Sequence, residues 1–401
     1  MIKGIRKNTF PILIVILLIA VSFILGMSYT KLSAFDEGGK LDLFLQALDI
    51  VKTDFVKKDL DDNKLIYGSI RGLLASLEDP YTRFMEPQAF REMKIRMSGT
   101  YSGVGIYIGI KGNQLIVISP IPGTPAEKAG LRSKDKIMTI DEKPTKDMAL
   151  EEAASLIKGK PGTIVKLGII RGGAKEPKIY EIVRTNIIIK SVERKSVAPD
   201  IGYIKLVTFE QEKAADEMAN AIKQVKKENA KALIIDLRDN GGGLLQEAID
   251  IGSMFIKKGV IVYTVDREGE KESISSSGKV LWDKPIVVIV NGSSASASEI
   301  LAGALRDNNV AILVGTHTFG KACVQNVRML NDGSAILITA KKYLTPNGDD
   351  ITEKGIAPDV IVEVPEKEGS EEAEVVEKPV ASDIQLQKAI EIIKGKIGPK
   401  K

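Results

Sequence analysis

Apolar positions along this chain follow two periods, and the points where one gives way to the other mark its elements. Gly202-Tyr-Ile-Lys-Leu-Val-Thr-Phe209 alternates as a strand, and residues 214–227 carry an amphipathic helix pattern. Ala232-Leu-Ile-Ile-Asp-Leu-Arg238 is strand-like again, before a helix over residues 244–256. Pro285-Ile-Val-Val-Ile-Val290 is short, β-branched and bounded by Asn291-Gly292, which predicts a buried strand. Residues 299–306 have helical spacing, with Ser296 or Ser298 as a natural cap and Glu299 in the first turn. Val310-Ala-Ile-Leu-Val314 follows as a second strand. Strand, helix, strand predicts a right-handed parallel crossover, so both strands end on one sheet edge. The cluster Ser293-Ser-Ala-Ser-Ala-Ser298 lies on that edge, and so does the loop Thr316-His-Thr-Phe-Gly-Lys321. A serine at a helix N-terminus near a lysine is the minimum for a serine nucleophile with a lysine base. On the pattern alone, a capped helix followed by a surface lysine explains the same residues.

Before this region the pattern differs. Residues 10–27 are apolar apart from Ser22 and follow Lys3, Arg6 and Lys7. About 18 such residues just suffice to span a bilayer as a helix. The flanking bases predict a cytoplasmic N-terminus and an extracytoplasmic body. A cleaved signal peptide is the alternative, although Leu32-Ser-Ala34 is a poor cleavage site. Residues 41–97 read as helical, broken at Pro80. That stretch is expected to pack without chemistry, with a homodimer surface as the alternative. Near the C-terminus, residues 366–378 are rich in glutamate and read as a flexible acidic linker. Residues 384–394 form a short final helix.

The chain has 401 residues, 44% hydrophobic and 27% charged, enough for two or three domains with their own cores. Its 57 basic and 53 acidic residues give a net charge of +4, too balanced to imply nucleic acid as a partner. One cysteine excludes a disulfide framework, and one histidine excludes a His-rich metal site. No HExxH or zinc-spaced cysteine pair occurs, so a metalloprotease is excluded and no metal or cofactor is expected.

Two glycine turns carry candidate chemistry. Asp239-Asn-Gly-Gly-Gly243 stands between a strand and a helix, where unhindered N–H groups suit a phosphate cradle or an oxyanion hole. No GK[ST] follows, which weighs against a nucleotide. Tyr101-Ser-Gly-Val-Gly-Ile-Tyr-Ile108 is a glycine turn entering a strand. Its N–H groups can form a nest for a peptide's terminal carboxylate while the peptide adds to the sheet edge.

Residues 290–300, VNGSSASASEI, followed by Thr318-Phe-Gly-Lys321 and Gln325, closely resemble the carboxyl-terminal processing peptidases, or tail-specific proteases. The resemblance implies that Ser296 is the nucleophile, Lys321 the general base, and Gln325 a support for the lysine. It implies an oxyanion hole made by the N–H groups of Gly242 and Ala297. The family usually has a glycine where Ala322 stands and a hydroxyl residue where Cys323 stands. Residues 99–184 resemble a PDZ domain through three segments: the 101–108 turn, residues 120–131, and Asp135-Lys-Ile-Met-Thr-Ile-Asp141. Lys134-Asp135 replaces the usual Gly-Asp. Gly103, Val104, Gly105 and Ile106 would then bind the substrate tail, with residues 149–158 walling the groove. Lys158 stands where the family often has an arginine that couples the PDZ domain to the catalytic site. Lysine keeps the charge but loses the planar fork.

The implied fold is an α/β catalytic core with a Clp protease/crotonase-like sheet and an inserted or preceding PDZ domain. An N-terminal helical segment and a membrane anchor complete it. The segments are 1–34 (anchor), 35–98 (helical), 99–184 (PDZ), 185–365 (protease core) and 366–401 (linker and helix). The implied function is a membrane-anchored serine endopeptidase that cuts proteins near apolar C-terminal tails. His317, the only histidine, is expected not to be the base, because it sits at a polar loop tip with no adjacent carboxylate. An inactive tail-binding module and a crotonase-like acyl-coenzyme A enzyme are the competing classes. The first needs a lost catalytic group; the PDZ-like segments argue against the second.

Overall fold

The computed structural model describes residues 39–112, 114–121, 123–188, 190–364 and 382–397. The apolar segment 10–27 and the acidic stretch 366–378 lie outside the described residues. Among the described residues no helix is long and apolar enough to cross a membrane. The chain divides into two units, Met1–Gly72 and Leu73–Lys401. Helices α1 (Lys40–Asp54) and α2 (Asp62–Ala75) come first, joined by an ion pair between Lys52 and Asp62 at 2.8 Å. Helix α1 buries none of its residues, and Leu43, Phe44 and Ile50 are exposed.

The break at Pro80 is followed by a strand, β1 (Arg83–Met85), and then α3 (Pro87–Met97). The break expected at Pro80 is present, and the region expected to be otherwise helical also contains this short strand. Strand β1 pairs with residues 335–337 far along the chain, burying Met85 and Phe90 against Ala335 and Leu337. Local periodicity cannot signal so distant a partner.

The next elements are β2 (Thr100–Gly103), β3 (Ile106–Lys111), β4 (Gln114–Pro120), α4 (Pro125–Lys128), β5 (Lys136–Ile140) and β6 (Lys143–Pro144). They continue with α5 (Leu150–Ile157), β7 (Ile164–Ile170), β8 (Lys178–Val183) and β9 (Thr185–Ile188). Strands β3-β4-β5-β7-β8 form one sheet around a separate core that includes Val117, Ile137, Val165 and Leu167. The turn at Lys134 is built without glycine, at φ 70°. Buried Asp135 holds it, accepting the Arg132 N–H and a two-pronged contact from Arg171 at 2.6 and 2.7 Å. Strands β2 and β9 pair antiparallel where the chain enters and leaves. Since β1 already belongs to a sheet of the following core, this domain is an insertion.

The core contains β10 (Val192–Ala198), β11 (Ile201–Leu206), α6 (Ala214–Lys227), β12 (Ala232–Asp236), α7 (Leu245–Ser253), β13 (Val260–Val265) and β14 (Lys271–Ser275). It continues with β15 (Ile286–Val290), α8 (Ala297–Asp307), β16 (Ala311–Gly315), β17 (Cys323–Met329), β18 (Ala335–Leu344), β19 (Val360–Ile361) and α9 (Ile384–Ile397). The main sheet runs β10-β11-β12-β15-β16-β19, parallel except for β10. Burial on both faces explains why β15 is apolar throughout and β12 is apolar up to Asp236. Leu233, Ile235, Val288 and Val290 face the core shared with α6, α7 and α8. Ile234, Val287 and Ile289 face Leu386, Ala389 and Ile393 of α9. A second sheet, β1-β18-β13-β14 with β17 on β18, packs against α7 and α8 through β13.

Candidate active site

Strands β15 and β16 pair in register from Ile286–Ala311 to Val290–Gly315, so their C-terminal ends share an edge as expected. The serine cluster leaves β15 there, and its hydroxyls are sorted by burial. Ser294 and Ser298 are fully buried; their hydroxyls donate to the carbonyls of Leu237 and Asn240, both at 2.8 Å. Ser296 is only partly buried and caps α8 with φ 57° and ψ −116°. Such a backbone costs a non-glycine residue about 1–3 kcal/mol and persists only when its surroundings fix it.

Glu299 is what fixes it. This residue is 1% exposed and sits one turn into α8. Its Oε2 accepts the N–H of Ser296 at 2.9 Å, the N–H of Lys321 at 3.1 Å and the hydroxyl of Tyr343 at 3.2 Å. Its Oε1 accepts the Thr318 hydroxyl at 2.7 Å and the Gly320 N–H at 2.6 Å. One carboxylate therefore ties the serine backbone to the lysine loop. Burial, reinforced by Glu299, pushes the Tyr343 hydroxyl well above an ordinary tyrosine pKa, so it stays a donor.

The lysine side chain points to the second sheet. Lys321 Nζ donates to Gln325 Oε1 at 2.9 Å and lies 5.1 Å from the centre of the Tyr81 ring. Ala322 takes a left-handed conformation, φ 48°, in the place where the resembling proteins have glycine. Cys323 is buried; desolvation raises its thiol pKa, and nearby Lys321 opposes that rise. His317 is exposed.

The glycine turn 239–243 lies on the same edge. Buried Asn240 stitches it to the serine loop: its carbonyl accepts the Ala295 N–H at 3.0 Å and its amide donates to Leu206 O at 2.7 Å. Gly242, at φ 95°, approaches so closely that a Cβ would stand 2.8 Å from both Ala297 N and Ser296 Cβ. The Gly242 N–H is donated to Asn240 Oδ1 at 2.9 Å, so it is engaged rather than open. Ala297, buried at the first position of α8, carries one of the helix-terminal N–H groups that no helical carbonyl serves.

Comparison with known proteins decides what this edge belongs to. Residues 200–362 match the model of peptidase family S41. The carboxyl-terminal-processing protease of Synechocystis sp. is 39% identical, covering 86% of this chain and 81% of that protein. That of Picosynechococcus sp. is 41% identical over 78% and 77%, and the carboxy-terminal processing protease CtpA of Bacillus subtilis 37% over 83% and 71%. The chain belongs to peptidase family S41. It is a serine-type peptidase. Residues 92–170 match the PDZ domain, and residues 27–89 match the N-terminal domain of the activating protease CtpB.

The PDZ groove of this S41 peptidase has a volume of about 450 Å³. Gly103, Val104, Gly105 and Ile106 lie along it, with Ile157 and Lys158 of the α5 end opposite. Helix α3, whose later residues fall within the match to the PDZ domain, supplies a further wall through Arg91, Ile95 and Arg96. Lys158 Nζ lies 5.9 Å from the centre of the Tyr101 ring, which also lines the groove.

In the sequence, topology placed the serine cluster and the Lys321 loop on one edge, the family resemblance added Gln325, Gly242 and Ala297, and Glu299 stood out only as a first-turn acid. Sequence reading missed Tyr343, Asn240 and Tyr81. The one available signal was the capping-box spacing of Ser296 and Glu299.

Proposed function

We propose that this peptidase cleaves proteins near their C-terminal tails with Ser296 as nucleophile and Lys321 as base. The Glu299 clamp carries this reading: it ties the backbone of Ser296, the partly buried serine of the cluster, to the loop bearing the lysine. In the neutral form, Lys321 takes the Ser296 hydroxyl proton as Oγ attacks the scissile carbonyl. The resulting ammonium passes its proton to the leaving amine. The acyl-enzyme is then hydrolysed by water, with the lysine again accepting a proton. Gln325 orients the lysine through its Oε1. The Ala297 N–H, at a helix N-terminus, faces negative charge favourably. The Gly242 N–H joins it once Asn240 Oδ1 releases it, so oxyanion binding requires a small rearrangement of that side chain.

The relatives' names, which specify carboxyl-terminal processing, support a substrate tail held in the PDZ groove. Apolar Val104, Ile106 and Ile157 suit an apolar terminus. Lys3, Arg6 and Lys7 before residues 10–27 support an anchor with an extracytoplasmic body. Digestion of intact, wall-stripped cells should then remove the body, and a protected body would reverse that orientation. The dyad is tested by Ser296→Ala and Lys321→Ala, each of which should abolish peptide hydrolysis with the fold retained. Near wild-type turnover by Lys321→Ala, in a sample free of contaminating protease, would sink the mechanism.

A further inference from the structure

The turn before β1 lies against the lysine. Asp79 Oδ1 accepts the Tyr81 N–H at 3.0 Å, and its Oδ2 accepts the Thr82 hydroxyl at 2.6 Å. Thr82 Oγ1 in turn accepts the Thr339 N–H of β18 at 3.0 Å. With β1 paired to residues 335–337, the turn is pinned beside β17, which carries Gln325. The Tyr81 carbonyl accepts from Gln325 Nε2, 244 residues away in sequence, while the Tyr81 ring lies under Lys321 Nζ.

These contacts fix the glutamine's orientation. A carbonyl on one side needs the amide's NH2, and an ammonium on the other needs its oxygen. Only one orientation of Gln325 satisfies both. The ring adds an electrostatic preference, since an aromatic face within about 6 Å attracts a cation and not a neutral amine. Proton transfer from serine creates that cation during the reaction.

We propose that Tyr81 is a positioning residue of this peptidase: its carbonyl sets Gln325, and its ring stabilises Lys321 as the lysine becomes an ammonium. The proposal rests on Lys321 acting as the base. Other ionisable groups acting on this corner are Cys323, Glu299, Asp79 and Glu353. All remain when Tyr81 is changed.

The test is the pH dependence of kcat/KM on a fluorogenic tail peptide. Residue 81 is changed to Leu, to Phe, and to phenylalanines with increasing ring fluorination. Fluorination keeps shape and carbonyl while weakening the negative ring face. On the pH-independent plateau above the lysine limb, Tyr81→Leu should lower kcat by about 3- to 30-fold with KM little changed, and Tyr81→Phe should restore most of that loss. The limb marking formation of the free base should move to lower pH by about half a unit to one and a half units across the fluorinated series. A flat series, or equal losses in Tyr81→Phe and Tyr81→Leu, would overturn the proposal. If Tyr81→Leu fails to fold, the fluorinated series still decides. Lys321→Ala separates the two readings: its activity would refute the base, whereas its inactivity beside a flat series refutes only Tyr81.

Discussion

Replacing Glu299 by glutamine probes how the site is held together. The side chain keeps its shape, but one acceptor oxygen becomes an NH2 donor. At the Oε1 position that NH2 meets the Gly320 N–H; at Oε2 it meets the N–H groups of Ser296 and Lys321. The first arrangement is less costly, because the Thr318 hydroxyl can turn to accept. One buried N–H is still left unpaired, at about 1–3 kcal/mol. The surviving bonds also lose charge assistance, about 1 kcal/mol each before relaxation. Allowing for non-additivity, the ordered loop loses about 3 kcal/mol relative to disordered forms. If only the ordered form is active and the two forms lie close in free energy in the wild type, kcat/KM falls on the order of 100-fold. Steady-state hydrolysis of a fluorogenic peptide measures this, with a thermal melt to confirm folding. Tail-peptide binding should be unchanged, since Glu299 does not line the PDZ groove. Activity within about threefold of wild type would mean a loss under about 1 kcal/mol and would refute the clamp.

Gly242→Ala places a methyl 2.6 Å from Ala295 O at φ 95°, against backbone that cannot step aside. It should cost hydrolysis at least about 100-fold, read as kcat/KM, and full activity would contradict the close approach. On the inactive Ser296→Ala protein, calorimetry should find a free apolar C-terminus bound about tenfold or more tighter than its amide, as charge-assisted bonds require. Equal affinities would remove the carboxylate nest. Asp383 opens α9 and takes two 2.8 Å hydrogen bonds from Arg238. Burial raises its pKa, but Arg238 and the Leu386 N–H override burial and hold it below the ordinary value. The folded state thus binds this proton less readily than the unfolded chain. The stabilisation is present above about pH 4 and is lost as pH falls through the depressed folded value. Asp383→Asn should cost about 1–3 kcal/mol in urea unfolding near neutrality. That deficit should shrink in acid, and a constant deficit would argue against the ion pair.

Period and turn residues made the elements around the serine cluster legible in order, though not strand β1. Unbroken Ile-Val-Val-Ile-Val predicts a strand covered on both faces, and α8 with α9 supply the covers. The helix pattern over residues 214–227 matches α6, whose buried Met218, Ile222 and Val225 recur at helical spacing. Parallel crossover handedness then placed the serine cluster and the lysine loop on one edge before any coordinates. Tertiary structure alone decided which donors converge on Glu299, and that Asn240 engages the Gly242 N–H. It also decided that Tyr81, read as part of a packing segment, lies beside Lys321. Period and turn chemistry act over a few residues, so they specify elements and edges. A hydrogen bond between residues 81 and 325 depends on how two sheets pack, and no local pattern encodes that packing. The PDZ insertion shows the same division. Three of its segments were legible through the family resemblance, whereas its status as an insertion follows only from β1 pairing with β18 on the far side of the domain.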